Sequence, residues 1–340
     1  MKLKKEFSEF FKAIIIDSET DQLIEKRGIL QKDIETKLPE ILKEHGITIT
    51  KKDIRMIDQG SYKYNTTIKS EVVDRDVAVM IPLDINSNKD PRLIKKYLRD
   101  SINIPSRTVT IKEPCITASY FEDGKEWLHI DLPLYANNGY SCYLARGKEF
   151  SSNYQWESAD PDGLNDYLCS KIGDSKQLRR IICYMKKWRN EKYSSSTNDH
   201  EIPPSIGLTL LACDCFSQQT TSDGDNDLLS LYKTMKAIEF LFEVKKDYLG
   251  NIIFASISRN LPVTPYTDVF KKMKDSSSSY MINFYNRLKT AVNNLENAVN
   301  VESAHDAGIY VQKVLGSDFS VPPKDAIVTS TQNRREHSFG

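Results

Sequence analysis

Asp74 and Asp76 stand two residues apart in the stretch EVVDRDVAVMI. If that stretch is a strand, the two carboxylates share one face, because successive strand side chains point to opposite sides. Ala78 and Met80 continue that face, and Arg75, Val77, Val79 and Ile81 take the other. Neighbouring carboxylates repel each other unless a cation lies between them. Hard oxygen ligands at this spacing suit Mg²⁺, which is held by one or two carboxylates plus substrate phosphates. Upstream, Gln59-Gly60-Ser61 reads as a turn that offers backbone N–H groups and a hydroxyl to a phosphate. A phosphate cradle followed by metal-ligating carboxylates points to transfer of a nucleotidyl group. The alternative is a solvated strand end beside an ordinary serine turn. The apolar VAVMI run that follows directly speaks against it.

Further along, Glu122-Asp123-Gly124-Lys125 reads as a turn between Cys115–Phe121 and Glu126–Leu132, a hairpin. Its second strand places His129 and Asp131 on one face, and Asp131 is the candidate third carboxylate.

A Gly-Ser turn, about a dozen residues, a D-x-D strand and a later strand Asp, in that order, resemble the DNA polymerase β-like nucleotidyltransferase superfamily. Within it, QGSYKYNTTIK, DRDVAVMI and HIDLPLYA resemble the bacterial cGAS/DncV-like nucleotidyltransferases (CD-NTases). Neither GS nor DxD is specific alone; the ordered set is. The resemblance implies a bilobed α+β fold: a mixed sheet backed by an N-terminal spine helix, then a C-terminal helical lobe. The implied division is a catalytic core over 1–160, a helical lobe over 161–320 that closes the cleft, and a flexible tail over 321–340.

The resemblance also implies roles. Asp74, Asp76 and Asp131 bind two Mg²⁺ ions, with Mn²⁺ as the alternative. Gln59, Gly60 and Ser61 hold donor phosphates. Lys186 on one helix and Ser205 at the start of the next contact the triphosphate, with Lys187 the neighbouring candidate. Where animal relatives carry a base-stacking aromatic after that serine, this chain has Ile206. His129 is expected to support the ligands or the fold, since a two-metal site needs no histidine base.

The implied activity is synthesis of a cyclic di- or trinucleotide second messenger from nucleoside triphosphates, ATP or GTP, in bacterial anti-phage (CBASS) defence. Two rival readings are a polymerase β-like transferase that acts on RNA or another acceptor, and a non-catalytic nucleotide-sensing module. Many CD-NTases are encoded beside an E1/E2-like enzyme that conjugates their C-terminal residue. Gly340, small and at the end of a polar tail, is the candidate conjugation site.

The 340 residues carry 47 basic and 47 acidic side chains. That neutrality argues against a protein that coats nucleic acid, so no stable nucleic-acid partner is expected. No run of 18 apolar residues predicts a membrane span. Glu6, Ser8 and Glu9 interrupt the apolar N-terminus, which therefore reads as an amphipathic helix and not as a signal peptide. None of the six cysteines forms a C-x-x-C pair, and no His/Cys cluster matches the zinc insertion of animal relatives. A reduced, cytoplasmic protein is expected.

These residues need elements to position them. Helical spacing predicts helices over 4–16 and 19–45, the second ended by His45-Gly46. Further helices are expected over 91–102, 161–172, 174–193 and 225–245, from Pro203-Pro204-Ser205 onward, and over 280–301 and 303–315. Residues 139–156 read as a loop-rich connection, whose Tyr140, Tyr143, Tyr154 and Trp156 either stack on a base or pack between the lobes. Leu261–Pro265 is expected to be a rigid loop.

Overall fold

The computed structural model describes residues 2–16, 21–70 and 72–324. Most of the expected tail, with Gly340, lies outside them. In the first half come α1 (Lys4–Ile14), α2 (Asp21–Glu44), β1 (Arg55–Gln59), the four-residue α3 (Gly60–Lys63), β2 (Val73–Ile81) and α4 (Pro91–Ile102). Six strands follow: β3 (Thr108–Ile111), β4 (Ile116–Glu122), β5 (Lys125–Leu132), β6 (Leu134–Asn137), β7 (Cys142–Arg146) and β8 (Gln155–Ala159). The second half holds α5 (Pro161–Ile172), α6 (Lys176–Lys192), α7 (Ser205–Cys215), the small pair β9 (Thr220–Thr221) and β10 (Gly224–Asp225), and α8 (Asp227–Phe240). It closes with β11 (Glu243–Lys246), β12 (Ile252–Ser256), α9 (Lys271–Ser276), α10 (Ser278–Asn300) and α11 (Ala304–Leu315).

The mixed sheet is hydrogen-bonded in the order β3-β4-β5-β2-β6-β7-β8, with β1 antiparallel on β2. β5 and β6 lie parallel to β2 in one unbroken register, from Val73 opposite Leu128 to Ile81 opposite Ala136. Pro133 separates them because it has no N–H to give the ladder, yet its carbonyl still accepts from the Val79 N–H at 2.9 Å. On the buried face, Val77, Val79 and Ile81 pack against Leu30, Ile34, Leu38 and Leu42 of α2. Helix α2 is thus the spine behind the sheet, and it continues through Pro39.

Caps fix the helix starts. Asp90 accepts from the Arg92 N–H with Pro91 in the first turn of α4, and Asp160 accepts from the Gly163 N–H ahead of α5. The first helix packs away from the sheet: Phe7, Phe10 and Ile14 join Tyr184, Trp188 and Phe319 in the core of the helical lobe.

Two expectations need correction. Residues 139–156 are irregular over 139–141 and 147–154, as expected, but β7 and the start of β8 also extend the sheet through them. The helix expected over 225–245 ends at Phe240, and Glu243–Lys246 forms a hairpin with Ile252–Ser256. Among the described residues, no helix is long and apolar enough to cross a membrane.

Candidate active site

Strand alternation delivers the expected pair. Asp74 and Asp76 project from one face of β2, and the parallel register sets Asp76 opposite Asp131 on β5. One oxygen from each of the three carboxylates lies within 4.8 Å of the others. Burial, then the like charges of Asp74 and Asp131, push the Asp76 carboxyl up to about 7. Such a cluster is poorly compensated by the protein alone and fits a divalent cation.

Neighbouring side chains hold the ligands. The Thr117 hydroxyl donates to Asp131 Oδ1, and Lys112 Nζ stands 3.7 Å from the same oxygen. His129 Nε2 lies 3.2 Å from Asp74 Oδ1 and Nδ1 lies 3.5 Å from Glu126. Its hydrogen bond with Asp74 raises the imidazole above its ordinary value. His129 thus orients a carboxylate, in keeping with the supporting role expected of it. On the other face of β2, the buried Arg75 pairs with Asp58 at 3.0 Å and lies 4.1 Å over the Tyr62 ring. That contact ties β2 to both flanks of the Gly-Ser turn.

The turn itself begins beside the second carboxylate, since Gln59 pairs with Asp76 in the β1–β2 register. Gly60 has φ 66°, and a Cβ there would meet Asp76 Oδ2 at 2.1 Å. Only glycine lets this backbone come so close to the carboxylate. Ser61 Oγ lies 3.0 Å from Thr67 Oγ1, and the Thr66 N–H donates to Ser61 O at 2.9 Å, which closes the loop.

The helical lobe reaches the same loop. Lys186 on α6 is buried and donates to Thr66 O and Thr66 Oγ1, both at 3.1 Å. Burial lowers its ammonium to about 8, against the pull of Asp76 and Asp74. Lys186 therefore braces the loop that follows the Gly-Ser turn. Lys187, the neighbouring candidate, points elsewhere, to Glu191 and Asp318 at 2.6 Å each. Ser205 is the first residue of α7, and its hydroxyl accepts from Arg189 at 2.5 Å.

Arg189 was absent from the candidates taken from the sequence. The signal was there: three residues after Lys186, it shares a helix face with it. Burial lowers its guanidinium below the ordinary value. Ile206 packs against the apolar core of the helical lobe.

A cavity of about 470 Å³ opens between the sheet and the loop after β12; the three carboxylates do not line it, but Gln59, which pairs with Asp76 in the sheet, does. Gln59, Tyr135, Arg146 and Glu157 form its sheet side, and the loop through Val263, Thr264 and Pro265 forms the other. That loop contains a cis Thr264–Pro265 bond. The aromatic residues named as base-stacking alternatives do not line this cavity. Tyr140 is fully exposed, Tyr143 and Trp156 pack on the sheet core, and Tyr154 lies 3.7 Å under Arg92.

Residues 54–135 match the sequence model of the family described as "Cyclic GMP-AMP synthase DncV-like, nucleotidyltransferase domain". The fold is similar to that of Vibrio cholerae DncV cyclic AMP-GMP synthase bound to nonhydrolyzable GTP. There the TM-score is 0.68 at 16% identity, over 94% of this chain and 97% of that one. The same enzyme with the linear intermediate 5′ pppA(3′,5′)pG gives a TM-score of 0.61 at 16% identity, over 92% and 96% of the two chains. CdnC from E. coli MS115-1, solved with HORMA-deltaN, gives 0.63 at 18% identity, over 93% and 98%. The match spans the Gly-Ser turn and all three carboxylates, so residues 54–135 resemble a DncV-like nucleotidyltransferase domain, and the chain as a whole shares the mixed α+β fold of the DncV and CdnC structures.

Proposed function

We propose that the chain joins nucleoside triphosphates, ATP and GTP among them, into a cyclic di- or trinucleotide second messenger. The observation that carries this reading is the convergence of Asp74, Asp76 and Asp131 beside a glycine turn that touches Asp76. Two Mg²⁺ ions, or Mn²⁺ in their place, fit these carboxylates and when bound acidify the acceptor ribose hydroxyl and neutralise charge on departing pyrophosphate.

The chain's own residues do the rest. Gln59, Gly60 and Ser61 present backbone and side-chain donors to the donor phosphates. Arg189 and Ser205 take the triphosphate tail from the helical lobe, and Lys186 keeps the loop in place. Thr117 and His129 fix the directions of Asp131 and Asp74. The interlobe cavity lined by Tyr135, Arg146 and Glu157 takes the acceptor nucleoside and holds its ribose near the carboxylates. In the same reading the product serves anti-phage defence in the cytoplasm, and Gly340 is the residue an E1/E2-like enzyme would conjugate.

Incubation with the four labelled triphosphates and Mg²⁺, then phosphatase and mass spectrometry, tests the activity. A phosphatase-resistant cyclic species that disappears in Asp74→Ala/Asp76→Ala is expected. Undiminished product from that double variant would sink the proposal.

A further inference from the structure

A second cavity, of about 400 Å³, lies at the first turns of α6, away from Lys186 and Arg189 further along the same helix. From Arg179 to Arg189 is about 15 Å at the ordinary helical rise. Leu3, Phe7, Phe11 and Leu228 form an apolar wall. Around it stand six cations, Lys2, Lys4, Lys12, Lys176, Arg179 and Arg180, against two carboxylates, Asp225 and Asp227. This is a marked concentration in a chain whose formal net charge is zero.

Most of the charges are engaged within the protein. Arg180 holds Asp227 at 2.6 Å and Asp225 at 2.8 Å, so its single charge is shared between the two carboxylates and the cavity lining stays positive as a whole. Lys2 Nζ donates to Val299 O at 2.7 Å, and Lys4 Nζ donates to Asp223 O. Three cations are left over. Lys12 and Lys176 are exposed and have no ion pair or hydrogen bond from their side chains among the described residues. Arg179 reaches only Gly173 O, at 3.4 Å, and its Nε is buried with no hydrogen-bond partner. Its side chain lines the cavity with Lys12 and Lys176.

We propose that this cavity is a binding site for a small organic anion with an apolar body. The wall of Leu3, Phe7, Phe11 and Leu228 takes the body, and Lys12, Lys176 and Arg179 take a carboxylate, phosphate or sulfonate. The volume lies within the range of small-molecule sites. The site is separate from the carboxylate cluster and does not rest on the proposed activity.

The test is a fluorescence titration of the full chain with 1-anilinonaphthalene-8-sulfonate. One saturable site per chain is expected. Lys12→Glu with Lys176→Glu, both at exposed positions, raises Kd at least tenfold, and Ser8→Trp, which fills the cavity from an exposed position, removes binding. Melting temperatures of these variants stay at the wild-type value, and Asp74→Ala/Asp76→Ala binds the probe as the wild type does. Laurate and 1-naphthyl phosphate are then used as competitors, and displacement by one or both tells an aliphatic carboxylate from an aromatic phosphate. Equal affinity in the wild type, the charge-reversed variant and Ser8→Trp would overturn the proposal, as would failure of both competitors to displace the probe.

Discussion

Strand β2 and helix α6 reach the segment from Gly60 to Thr66 by different routes. On β2, a period of two sets every side chain: Asp74 and Asp76 face the cleft, while Val77, Val79 and Ile81 anchor the strand on α2. One register with β5 then brings in Asp131. On α6, consecutive residues diverge around the helix, so that Lys186 braces Thr66, Lys187 pairs with Asp318, and Arg189 meets Ser205. On the sheet side the ladder between β2 and β5 sets where Asp76 and Asp131 stand. The helical side supplies cations whose contacts depend on how two lobes pack, so its variants are expected to affect binding more than chemistry.

That contrast can be broken in order of effect. Asp74→Ala or Asp76→Ala is expected to lower kcat by about a thousandfold or more, since metal-assisted stabilisation is lost outright. Product formation at saturating triphosphate measures it. Without Mg²⁺, Asp76→Asn should melt no lower than the wild type, because it removes a buried like charge. Added Mg²⁺ should raise the melting temperature of the wild type but not of this variant.

Gly60→Ala comes next. Its Cβ would meet Asp76 Oδ2, and displacement of a reacting group by about 1 Å costs on the order of a hundredfold. Steady-state rates and circular dichroism together separate lost geometry from lost fold.

On the helical side, Arg189→Ala should raise the KM for triphosphate by roughly 10- to 100-fold with little change in kcat, the size of a lost charge-assisted hydrogen bond. Lys187→Ala should leave KM unchanged and cost about 1 kcal/mol of stability, as for a partly exposed ion pair. If the two variants behaved alike in KM, the distinction between the faces of α6 would fail. Among the variants expected to change activity, Thr117→Val has the smallest effect, because it leaves all three carboxylates in place and removes only the hydroxyl that donates to Asp131; about a tenfold loss of rate and weaker metal affinity should result.

How much could be read from the chain follows the same division. The D-x-D strand, Asp131 on its hairpin, and the capped starts of α4 and α5 were legible because each rests on local spacing: two-residue alternation, a turn, an Asp-Pro pair. The strands β7 and β8 were not. Most of their residues are half-buried on both sides, which erases the alternation that marks a strand exposed on one face. The end of α8 was hidden because the apolar run through Phe240-Leu241-Phe242 continues past Phe240, while hairpin pairing with Ile252–Ser256 takes over. Ser205 was legible as a helix start, and the three-residue spacing from Lys186 put Arg189 on the same face of α6, but which of the two cations meets Ser205 was not legible. A cation's direction depends on the packing of α6 against α7 and the loop at Thr66, a tertiary fact with no local pattern.

The most direct test of the central claim is diffraction from crystals soaked with Mn²⁺ and a nonhydrolysable triphosphate, collected for anomalous scattering. The account predicts Mn²⁺ between Asp74, Asp76 and Asp131 at roughly 2.0–2.2 Å from their oxygens, with the triphosphate lying between the turn at Gly60-Ser61 and Arg189. A triphosphate bound in the cleft with no anomalous peak at the three carboxylates would contradict it.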